Sequence, residues 1–179
     1  MPGLLNRVFL LSATICLILL VGCKPKSEPL EPSGQQETAQ SLKITEKDIA
    51  EISYTEYALS DTSEDVTRDW VKFHELNAQI EVLKRADLSF FKDDKAILEG
   101  FLTDLINELP EQLNDTSIIV RLTALKTSIY KLEGSAILEK EEKEDLLNNI
   151  KDVLISHTNL IFQINKKLEK EAQKIEKPS

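Results

Sequence analysis

The chain has 179 residues, with 22 Lys and Arg against 31 Asp and Glu, a net charge of −9. That balance argues against a nucleic-acid partner, which needs a basic face to displace counterions, and against electrostatic adhesion to anionic lipid. Five glycines in the whole chain are too few for the turns of an all-β protein, whereas abundant Leu, Ile, Lys and Glu are expected of long helices.

Arg7 is the only charge before Lys24, and between them an apolar run extends from Val8 to Val21. At about 14 residues it fits a secretory signal and falls short of the ~20 that span a bilayer. Its end, Leu20-Val21-Gly22-Cys23, resembles the lipobox of bacterial lipoproteins. The resemblance implies cleavage between Gly22 and Cys23, and a lipidated Cys23 with diacylglycerol on its sulfur and an acyl chain on its amino group. One acyl chain anchors only marginally, while two or three hold a protein on a membrane stably. Lys24 after the cysteine points, by analogy with enteric bacteria, to the outer membrane; which face the protein occupies stays open. Cys16 leaves with the signal, so no thiol remains for a disulfide, a metal or a nucleophile.

Residues 1–22 thus read as a signal peptide and 23–43 as a disordered tether, KPKSEPLEPSGQQETAQSL with its prolines and polar residues. Residues 44–177 read as one helical domain. Thr45 and Asp48 form a capping-box pair, with Ile44 and Ile49 as its staple. They open a first helix over 45–59 whose stripe of Ile49, Ile52, Tyr54 and Tyr57 is broad and weak.

A second helix over 63–86 carries Val66, Trp70, Phe73, Ile80 and Leu83 on one face. The third, 91–109, has Asp93 and Asp94 at its positive end and stops at Pro110. The fourth, 115–133, places Ile118, Leu122, Leu125, Ile129 and Leu132 in a four-three seam, with Gly134 as its C-terminal residue. The last and longest, 139–175, continues that alternation through Leu147, Ile150, Leu154, His157, Ile161, Ile164 and Leu168. At 1.5 Å per residue it would span ~55 Å and overhang the others. The expected fold is all-α, an up-down antiparallel bundle of four to five helices. In it, the first two helices line the last, and Ile161, Ile164 and Leu168 become a partner surface if the first is detached.

Catalytic chemistry is poorly represented. A di-metal bundle site needs Glu-x-x-His pairs, but Val71 and Leu154 stand three residues before His74 and His157. H-E-x-x-H, phosphate-binding glycine loops, G-x-S-x-G and S-x-x-K are missing apart from what chance supplies, so no catalytic residue and no cofactor is assigned. His157 and His74 are weak metal candidates; the competing reading of His157 is a buried imidazole fixing helix register. Trp70, Phe73, Phe90, Phe91 and Phe101 could line an apolar pocket, but at helical spacing they read as core. The run Glu139-Lys140-Glu141-Glu142-Lys143-Glu144-Asp145 reads as a solvated helix start rather than a cation site.

The leading expectation is a lipid-anchored envelope protein acting by contact with another envelope protein, as a scaffold, accessory or chaperone-like factor. The alternative is a small-ligand or metal carrier, which would enclose a cavity with His157 or Trp70 in its wall.

Overall fold

The computed structural model describes residues 43–138 and 142–173. The expected signal peptide, Cys23, the tether and the last residues of the domain lie outside them. Among the described residues there are six α-helices and no strands, and no helix is long and apolar enough to cross a membrane.

Helix α1 is a single turn, Glu46–Ala50, built by the capping box: Asp48 N–H donates to Thr45 Oγ1, and the Asp48 carboxylate accepts from the Thr45 N–H at 2.8 Å. Ile44 and Ile49 are buried. The same carboxylate meets Lys143 Nζ at 2.8 Å. The Lys143 ammonium and the Thr45 donors together hold Asp48 down to about 2.

The helix expected over 45–59 does not continue. Residues 52–60 form a strap without regular secondary structure instead, extended at Ser60, because Ile52-Ser53-Tyr54-Thr55 strings together β-branched, aromatic and hydroxyl residues of low helix propensity. Helix α2, Asp61–Thr67, follows, N-capped by Ser60 on the Ser63 N–H.

The expected helix over 63–86 is two helices. After α2 the chain breaks at Trp70 (φ −84, ψ 79) and restarts as α3, Val71–Lys84. Trp70 is wholly buried, lies nearly parallel to Phe73 with centroids 4.8 Å apart, and donates its indole N–H to the Leu105 carbonyl at 2.9 Å. Seating that ring sets the break. The Thr67 carbonyl accepts the Trp70 N–H at 2.9 Å and, as a second donor, His74 Nε2 at 2.8 Å.

A 3-10 turn, Phe90–Lys92, precedes α4, Lys95–Asn107, which is capped by Asp94; the helix expected from residue 91 therefore starts later. A second such turn, Glu111–Leu113, leads to α5, Thr116–Ile137, capped by Asp115. Gly134 sits inside α5 rather than at its end. Helix α6, Lys143–Ala172, is the longest.

The α5 seam is buried from Ile118 to Leu132, and α6 buries Ile150, Val153, Leu154, Leu160, Ile161, Ile164 and Leu168. These two helices form the most extensive pair. Gln163 donates to Ser117 Oγ at 3.0 Å, and Lys131 pairs with Asp152 at 3.6 Å.

Candidate functional site

The strap lies against α6 and α3, and α6 holds it by its main chain. Tyr57 N–H donates to Thr158 Oγ1 at 2.9 Å, and Ser60 N–H donates to Asn165 Oδ1 at 3.0 Å. Asn165 Nδ2 donates in turn to the Ala58 carbonyl at 2.8 Å. Thr158 and Asn165 stand seven residues apart, two helical turns along one line of α6. Between them Phe162 meets the Tyr57 ring, centroids 4.8 Å apart at 40°, with Lys166 Nζ 5.9 Å from the Phe162 centroid. Both rings reach solvent, Tyr57 at 37% and Phe162 at 36% exposure.

Helix α3 supplies the charged end of the site. Lys84 Nζ bonds Glu56 of the strap and Glu81 of its own helix, the latter at 2.7 Å. Burial pulls the Lys84 ammonium down, but the two carboxylates outweigh it and raise its pKa. Burial likewise raises the Tyr54 hydroxyl, against the neighbouring Lys84 charge.

His157 lies one residue before Thr158 and donates from Nε2 to Asn77 Oδ1 of α3 at 2.7 Å. Its burial, then the Lys84 charge, push it down to about 4, with Glu56 and Glu81 acting the other way. At neutral pH it is an uncharged link between α3 and α6.

The two weak metal candidates are thus engaged separately, His157 with Asn77 and His74 with Thr67. Among the described residues no three His, Cys, Asp or Glu side chains gather as a metal site would require. Trp70, Phe73 and Phe91 are completely buried and Phe90 and Phe101 pack against them; the aromatic set is core.

Ile161, Ile164 and Leu168 are 7%, 0% and 7% exposed. The nominated partner surface is therefore interior in this state, because α2 and the strap run along α6 where a continuous first helix was expected. Of the charged run, Glu142 stands at the N-cap position of α6 without a side-chain bond to it, Lys143 pairs with Asp48, and Glu144 and Asp145 fill the first turn; residues 139–141 lie outside the described ones.

An open cleft of about 710 Å³ separates the start of α5 from the end of α6. Two of its lysines, Lys166 and Lys167, already pair with Glu169 and Glu171. A smaller cavity of about 330 Å³ lies beside the strap, lined by Ile52, Tyr54, Glu56, Lys84 and Leu154 among others.

Sequence reasoning overlooked Thr158, Asn165, Asn77 and Lys84. No local signal singles them out: α6 carries many polar residues, and Thr158 and Asn165 differ from the others only in the strap groups they meet. No protein-family model matches the chain, and no significant match exists among curated proteins or solved structures.

Proposed function

We propose that the chain is a lipid-anchored protein of the bacterial cell envelope, attached through Cys23 to the outer membrane, that works by contact with another envelope protein. Its roles in this reading are those of a scaffold, an accessory subunit or a chaperone-like factor. The lipobox-like Leu20-Val21-Gly22-Cys23 supports the anchor, and the polar residues 23–43 support a tether that holds the helical body off the membrane.

The contact reading rests on one observation above the others. Tyr57 and Phe162 form a packed aromatic pair more than a third exposed, fixed in place by main-chain hydrogen bonds and set beside Lys166. Large, rigid aromatic faces beside a cation are the residue types that anchor protein interfaces.

We also propose that the helices alternate in direction as in an up-down bundle. The Gln163–Ser117 and Lys131–Asp152 pairs support this, since each joins one end of α5 to the opposite end of α6.

A photo-crosslinking residue placed at position 162 in living cells tests the contact. The expected result is one discrete protein adduct, absent when the same group replaces exposed Glu99 on α4. No adduct, or the same products from both positions, would contradict it.

A further inference from the structure

The hold of α6 on the strap differs from ordinary side-chain packing. All three direct hydrogen bonds between them go to main-chain atoms of the strap. Asn165 alone spans the Ala58 carbonyl and the Ser60 N–H, two groups that an extended chain presents along one edge. Recognition of this kind tolerates almost any side chain in the bound segment, so selectivity falls to two neighbouring positions. One is the Glu56 carboxylate on Lys84, and the other is the Tyr57 ring on Phe162.

The strap is also lightly seated. None of residues 51–60 is buried, and only Ile52, Tyr54 and Leu59 are half-buried. Beneath it α6 buries Leu154 and Ile161. Beside it the cavity of about 330 Å³ keeps Leu154 and Lys84 in its wall, room that the strap does not fill.

We infer that the groove between α3 and α6 is an extended-peptide site which residues 52–60 occupy in cis. The partner enters it as an extended segment bearing a carboxylate followed at once by an aromatic residue, and displaces the strap. The strap itself is the template for that chemistry: Lys84 receives the acid, Phe162 the ring, and Thr158 and Asn165 the backbone. This rests on the protein-contact reading and deepens it at Phe162, where the partner's aromatic residue takes the place of Tyr57. A closed strap lowers the apparent affinity by the fraction of open molecules, so loosening it strengthens binding in trans.

The test uses the full chain and a fluorescein-labelled peptide of residues 52–60, read by fluorescence anisotropy. Helix content by circular dichroism shows that each variant is folded. Glu56→Lys removes the strap's ion pair and sets two cations together, so it should bind the peptide roughly fivefold or more tighter than the unchanged chain. Adding Asn165→Ala, or the surface change Phe162→Ala, to that background should weaken binding by about fivefold or more. A peptide with Lys-Ala in place of its Glu-Tyr pair should not compete.

Absence of binding to the Glu56→Lys chain overturns the proposal, as does binding indifferent to both groove variants. A concentration-dependent dimer that the peptide dissociates would overturn it in favour of a second copy as occupant. If the peptide fails while the position-162 adduct persists in cells, the contact reading stands and the groove assignment alone falls.

Discussion

Ala86 adopts φ 64 at the end of α3, a left-handed conformation that costs a residue with a Cβ roughly 1–2 kcal/mol. It does so because the chain closes a Schellman turn there: Ala86 N–H donates to the Leu83 carbonyl at 2.8 Å and Asp87 N–H to the Val82 carbonyl at 3.4 Å. Ala86→Gly should therefore stabilise the fold by about 1 kcal/mol in urea denaturation; a loss of that size would show that the methyl's packing outweighs the strain. Trp70→Phe should cost about 1–3 kcal/mol, since it leaves the Leu105 carbonyl buried without its donor. For His157 the sign follows from a pKa lowered from 6.5 to about 4. The unfolded chain binds this proton as pH falls through about 6.5 while the folded chain refuses it until about 4. Stability from the neutral imidazole is thus complete above that window and is lost as pH drops through it, by about 2 kcal/mol at pH 5. His157→Gln keeps a donor for Asn77 and removes the titration. Its melting midpoint should fall less between pH 7 and pH 5 than that of the unchanged protein, and an equal fall would assign the acid sensitivity elsewhere.

At the scale of elements, Gly100 in α4 and Gly134 in α5 are exposed, and a Cβ built on either meets nothing within 4 Å. Each changed to Ala should add about 0.5–1 kcal/mol, measurable by thermal or chemical unfolding, and the two should add independently. Two helix starts were legible in the sequence because a capping residue announces them: Thr45 with Asp48, and Asp115, each accept from the first turn, whereas α4 was expected from residue 91 and starts only after its cap Asp94. Helix breaks were not. The apolar period runs on from Val66 through Trp70 to Phe73 with no Gly or Pro between, so the interruption at Trp70 is visible only once its indole is seated on Leu105. Gly134 misled in the opposite sense, because the seam of α5 carries the helix past a residue that ends many others. The strap was half legible: the weak stripe after Ile49 was a sign that no helix would form. Its recognition by Thr158 and Asn165 depends on tertiary placement that no local pattern encodes.

At the scale of the whole molecule, the proposed account joins a lipid at one end of the chain to a helical body whose exposed aromatic pair meets a partner. The acidic net charge of −9 agrees with the proposed anchor made by acyl chains rather than by attraction to anionic headgroups. In this proposal the protein is confined to a membrane plane, where even modest affinities would suffice because an anchor raises the local concentration. The most direct test is mass spectrometry of the N-terminal peptide of the protein purified from its native membrane. The account predicts a chain that begins at Cys23 and carries diacylglycerol with an N-linked acyl group; an intact Met1, or a Cys23 with a free thiol, would contradict it.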